Sequence, residues 1–138
     1  MYRKILVGYD GSPAGKKAFD AALDLASKYG SEVYVLSVAR TPDIGDDVET
    51  EAVIENSRRY HRGLLAELRA AIAASHVKVH FEVSVGHPAE QILYHADEYA
   101  ADLIVIGHRG RSTFVRLLLG SVSKQVVQHA YQAVLVVR

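Results

Sequence analysis

The sequence predicts one α/β domain, an open and parallel five-stranded sheet with helices on both faces. Three observations carry this. Strand and helix patterns alternate along residues 1–138 in the order βαβαβαβαβ, which calls for parallel strands joined by right-handed crossovers. Two of the strand segments, Ile5-Leu6-Val7-Gly8-Tyr9 and Leu103-Ile104-Val105-Ile106, are continuous apolar runs, as expected of strands covered on both faces. A chain of 138 residues, 49% hydrophobic and 23% charged, suits a single compact core, and it shows no linker, repeat or low-complexity tract.

The elements follow in order. After the first strand, Ser12 and Pro13 give an N-cap and a proline at the first helical position. Ala14, Ala18, Ala22, Leu25 and Tyr29 mark one helical face, and Gly30 ends the helix. Val33 to Val38 reads as strand two. The acidic stretch from Thr41 to Glu51 carries Pro42 and Gly45 and reads as a surface loop. A long helix is expected from about Val48 to Ser75, with Ile54, His61, Leu64, Leu65, Leu68 and Ile72 on its apolar face. In strand three, Val77, Val79, Phe81, Val83 and Val85 alternate with Lys78, His80, Glu82 and Ser84, which implies one wet face or an edge position. Gly86-His87-Pro88 turns into helix three, whose Ile92, Leu93, Ala96 and Ala100 are placed toward the sheet. The buried-type strand at Leu103 ends at Gly107. Helix four is expected from about Val122 to Tyr131, and Val134-Leu135-Val136-Val137 is the last strand.

Composition removes several classes of function. Formal net charge is zero, so no bulk field favours nucleic acid or an anionic membrane. There are no cysteines, which excludes disulfides, thiolate zinc sites and thiol catalysis. The apolar run after Arg3 and Lys4 is too short for a signal peptide, and no stretch approaches a membrane span of roughly 20 residues, so a cytoplasmic protein is expected. The seven histidines show no metal spacing and are expected to be solvated or packed. No glycine is followed by Lys and then Ser or Thr, so a Walker A motif is absent. No catalytic triad can be assembled. Arg58-Arg59-Tyr60-His61-Arg62 lies in a Glu-rich helix and reads as a solvated face.

In sheets of this kind ligands bind beyond the C-terminal strand ends, where strand order reverses. If the two buried strands are central neighbours, their following loops share that crevice. The first is Asp10-Gly11-Ser12-Pro13. The second runs from Gly107 through His108, Arg109, Gly110, Arg111 and on to Gly120 and Ser121. Gly107 and Gly110 let main-chain N–H groups approach an anion, Gly120 and Ser121 open a helix whose first N–H groups are unpaired, and Arg109 and Arg111 add cations. These parts make an anion cradle built mostly of backbone. Read blandly, they are turn glycines and a helix cap. Asp10 has two readings as well, a turn stabiliser or a ligand contact.

The spacing Gly107-x2-Gly110-x9-Gly120-Ser121 resembles the nucleotide-binding motif of the ATP-binding branch of the universal stress protein family. Ile5 to Ser12, Gly86-His87-Pro88-Ala89, Leu119 to Ser123 and Val134 to Arg138 are similar to family segments too, so the resemblance covers the whole chain. It implies an adenine-nucleotide α-hydrolase-like fold of strand order 3-2-1-4-5 and a homodimer formed through the C-terminal strand. By matching position, it implies that Asp10 touches the adenosine, that backbone near Val38 reads the adenine, and that Gly107, Gly110, Gly120, Ser121, Val122 and Ser123 hold the phosphates, with Arg109 beside them. ATP is the implied ligand. The loop has no carboxylate, so Mg2+ is expected to ride on the phosphates and water.

The chain departs from the family pattern at His108, where Ser or Thr is common; its bulk either crowds the phosphates or adds a donor. Ser112-Thr113 replaces a frequent glycine, and Ala133 a frequent proline. Three functions compete. A nucleotide-binding regulatory protein leads, because no positioned base stands beside the phosphates. A slow ATPase or self-phosphorylating enzyme is the first rival, and a dimeric scaffold without nucleotide is the second.

Overall fold

The computed structural model describes residues 1–40, 48–108 and 120–138. It is a five-stranded sheet of order β3-β2-β1-β4-β5, every pair parallel. The elements are β1 (Lys4–Gly8), α1 (Pro13–Tyr29), β2 (Glu32–Arg40), α2 (Val48–Ala71), β3 (Lys78–Gly86), α3 (Pro88–Glu98), β4 (Leu103–Gly107), α4 (Ser121–His129) and β5 (Ala133–Val137). Every expected element is present. The first seven residues of the expected acidic loop, 41–47, lie outside the described residues, as do 109–119 of the long loop before α4.

Strand β1 is central because both of its faces are apolar. Ile5 and Val7 belong to the core shared with α1 and α2, and Leu6 to the core shared with α3 and α4. Its neighbour β4 repeats the pattern, with Leu103 and Val105 on one face and Ile104 and Ile106 on the other. All of these side chains are essentially buried. Burial of each is worth about 1.5–3 kcal/mol, so these two strands carry much of the stability.

Strand β3 is at one edge, as its alternation implies. Val79, Phe81 and Val83 pack toward α1 and α2. The polar residues between them face the other side, where α3 only partly covers the sheet. There the Tyr34 ring stacks between Tyr99 at 4.4 Å and His80 at 4.7 Å. Glu32 accepts a hydrogen bond from the Tyr34 hydroxyl at 3.0 Å and lies 3.3 Å from His80 Nε2. The Tyr34 hydroxyl, and then His80, hold the Glu32 carboxyl below its usual range.

Helix α1 differs from its expected face. The buried residues are Gly15, Ala18, Phe19, Ala22 and Ala26, while Tyr29 is 46% exposed. Phe19 is fully buried and was not on the expected stripe. The stripe is turned because the largest side chain sets which face goes inward, and the alanines on either side fit both arrangements. In α2, His61, Leu65 and Leu68 are buried as expected. His61 is thus buried, while Arg59, Tyr60 and Arg62 of the same run are exposed. Helix α3 ends before Ala100, which adopts a positive φ of 55° and is exposed rather than facing the sheet. Among the described residues no helix is long and apolar enough to cross a membrane.

Candidate functional site

Strand order 3-2-1-4-5 reverses between β1 and β4. Chain direction therefore opens a crevice beyond the C-terminal ends of these two strands. Two segments flank it, the β1–α1 loop and the first turn of α4.

The β1–α1 loop is held from several directions. The Tyr9 N–H donates to Leu36 O at 2.9 Å, tying the loop to β2. Asp10 Oδ1 accepts from the Ser12 N–H at 2.9 Å, a local turn closed by a carboxylate. Ser12 Oγ in turn accepts from the Gly15 N–H at 3.0 Å and caps α1. Gly11 has φ +85°, and a Cβ there would come within 3.0 Å of Leu64, so α2 lies against this loop. Burial first, then the Glu67 and Asp10 carboxylates, push the Tyr9 phenol above its usual range and favour its neutral form.

The second segment is anchored by His108. Its N–H donates to Val137 O at 2.6 Å, and its carbonyl accepts from the Gly120 N–H at 3.0 Å and from Ser123 Oγ at 2.9 Å. These bonds dock the start of α4 on the ends of β4 and β5. Gly120 is the N-cap, with no side-chain cap on the helix, and Ser121 is the first helical residue and exposed. The N–H groups of Ser121 and Val122 thus stand at a helix start with partial positive charge, the ordinary setting for an anion.

Gly107 ends β4 against the helix that follows the first segment. A Cβ on this residue would lie 2.8 Å from the carbonyl carbon of Ala14 and 2.9 Å from its Cβ. The first turn of α1 therefore rests on the end of β4, and this close approach requires glycine. Asp10 and Ser12 follow β1, and Gly107, Gly120, Ser121 and Val122 follow or end β4, so all of them lie at the C-terminal side of the two central strands. Val38 is half-buried on β2, opposite Ser84 of β3 and packed in the α3–α4 core, one strand further from Gly107. Ser123 is buried, and its hydroxyl donates to His108 O and, at 3.1 Å, to Gly120 O. Arg109 and Gly110 lie outside the described residues, as do Arg111, Ser112 and Thr113.

One polar pair near the strand ends escaped sequence reasoning. Ser37 Oγ and His61 Nδ1 are 2.7 Å apart, both buried, and join the end of β2 to the middle of α2. The one hint was a histidine on an otherwise apolar helical face. Among the described residues no group of three His, Cys, Asp or Glu side chains could hold a metal ion.

The whole chain, residues 1–138, matches the model of the universal stress protein family. A universal stress protein of Methanocaldococcus jannaschii is 33% identical over 141 residues, which span 100% of this chain and 83% of the relative. The solved UspA of Lactobacillus plantarum superposes with a TM-score of 0.91 at 26% identity, over 99% of this chain and 98% of its own. A universal stress protein solved in complex with cAMP superposes at 0.74 with 28% identity, over 99% of this chain and 97% of its own.

Proposed function

The chain belongs to the universal stress protein family, and from that membership we propose that it is a cytoplasmic, homodimeric regulatory protein that binds ATP. The observation that supports the reading is the end of β4, where Gly107 lies against the first turn of α1 and the next residue, His108, accepts from the Gly120 N–H at the start of α4, a helix with no side-chain cap. A triphosphate needs unpaired backbone donors and a local positive field, and that helix start supplies both. The cAMP complex of a related protein supports an adenine nucleotide as the ligand class.

In this reading Gly107, Gly110, Gly120, Ser121, Val122 and the Ser123 N–H surround the phosphates, with Arg109 adding charge. Asp10 approaches the adenosine, and backbone near Val38 meets the adenine. Mg2+ would be held mainly by the ligand's phosphates and water, with the serines assisting at most. Bound ATP then acts as a signal that selects one conformation or assembly. Native mass spectrometry of the freshly purified protein tests the reading directly. Co-purified ATP, ADP or AMP is the expected result. A bare chain that also shows no heat on titration with ATP would overturn it.

Asp10→Ala separates the two roles of this carboxylate. Losing the acceptor for the Ser12 N–H is expected to cost about 1 kcal/mol of stability. Losing an adenosine contact is expected to weaken ATP by about tenfold, the equivalent of roughly 1.4 kcal/mol. Calorimetric titration beside thermal unfolding reads both effects. An unaltered dissociation constant with a lowered melting temperature would assign Asp10 to the turn alone.

A further inference from the structure

The side chain of His108 is 6% exposed, and its Nε2 is buried without a hydrogen-bond partner. Buried polar atoms are ordinarily paired, so an orphan next to a binding crevice points to a missing partner. The backbone of the residue is already committed, its N–H to Val137 and its carbonyl to Gly120 and Ser123. These bonds clamp it between β5 and the first turn of α4. Side chains alternate along a strand. Ile104 and Ile106 belong to the core beneath α3 and α4, and the His108 carbonyl, bonded to Gly120 and Ser123, keeps the residue beside the first turn of α4.

Two unsatisfied features therefore adjoin. One is an imidazole nitrogen that can donate a proton. The other is a nine-residue helix whose N-terminus carries no side-chain cap. Helix α1 differs, because Ser12 caps it and Pro13 occupies its first position. A phosphate oxygen at the start of α4 satisfies both features together, accepting from Nε2–H while lying in the positive field of the helix. Water satisfies the imidazole but gains little from the helix.

Resting on the nucleotide-binding reading above, we infer that His108 contacts the ligand and that its Nε2–H donates to a phosphate oxygen of the nucleotide seated on α4. The side chain that departs from the family pattern is then a selectivity device. It adds affinity for phosphorylated ligands and adds none for adenosine.

The test is calorimetric titration of the wild-type protein, His108→Phe and His108→Gln with ATP and with adenosine. Phenylalanine keeps an aromatic ring, somewhat larger, and removes the donor, while glutamine restores one. His108→Phe is expected to weaken ATP by about tenfold or more and leave adenosine unchanged, and His108→Gln to recover part of the loss. In the wild-type protein the 15N resonance of His108 Nε2 is expected to move on addition of ATP and not of adenosine. This measurement decides the matter alone if His108→Phe fails to fold. Equal ATP affinity in wild type and His108→Phe, or an Nε2 resonance unmoved by saturating ATP, overturns the inference and leaves nucleotide binding standing. A wild-type protein that binds no ATP overturns both.

Discussion

Gly107→Val is expected to destabilise the protein by about 3 kcal/mol or more, whether or not nucleotide is present. A Cβ at this position would meet Ala14 C at 2.8 Å, Ala14 Cβ at 2.9 Å and Ala14 O at 3.0 Å. Two of these atoms are backbone and the third is a methyl group, so no side chain can rotate away. Relief requires α1 to lift from β4, which also loosens Ala18, Phe19 and Ala22 in the core. For a chain of this size the loss corresponds to a melting temperature lower by about 10 °C. Gly110→Val is expected to do the reverse. If the glycine spacing marks a phosphate cradle, a Cβ there blocks the ligand's approach and weakens ATP by about a hundredfold or more, with the melting temperature of the free protein little changed. Thermal unfolding and calorimetry on both variants separate packing from binding. A Gly107→Val protein as stable as wild type would show that α1 does not rest on β4 in this way. A Gly110→Val protein with wild-type affinity would remove the cradle.

The contrast between these two glycines shows how far the sequence can be read. Gly107 is conspicuous as a glycine ending a buried strand, but its neighbour Ala14 is distant in the chain, and only folding brings the two together. Element order and the edge position of β3 were legible because they rest on local period: continuous apolar runs in β1 and β4, strict alternation in β3. The α1 face was misjudged for the opposite reason, since a stripe of alanines fits more than one orientation and Phe19 decides it through tertiary packing. Asp10, Gly120 and Ser121 were legible as turn and helix-start residues. The engagement of the Ser123 hydroxyl with His108, and the Ser37–His61 pair, were not. Each joins two elements by one hydrogen bond between positions 15 or 24 residues apart.

The same reasoning makes β5 the place where the proposed homodimer is tested. β5 lies at the sheet edge and pairs only with β4, so its outer backbone groups have no partner strand within the described chain. Its apolar side chains are not all covered. Leu135 is 38% exposed, and nearby in sequence Val127 is 45% and Tyr131 94% exposed. An open edge with apolar flanks is a template for uncontrolled pairing unless something occupies it. In the proposed homodimer a second copy related by a two-fold axis would occupy it antiparallel and close the assembly, because each copy would present the same patch to the other. Leu135→Asp then places a charge from each copy in one interface without an equivalent cost to the monomer core, where the side chain is already partly exposed. The expected result is a dimer weakened by about a hundredfold or more, with native circular dichroism retained. Light scattering at micromolar concentration should give twice 15.1 kDa for the wild-type chain and a mass moving toward 15.1 kDa for Leu135→Asp. A monodisperse wild-type monomer, or a dimer indifferent to the charge, would show that β5 is shielded by something other than its own copy.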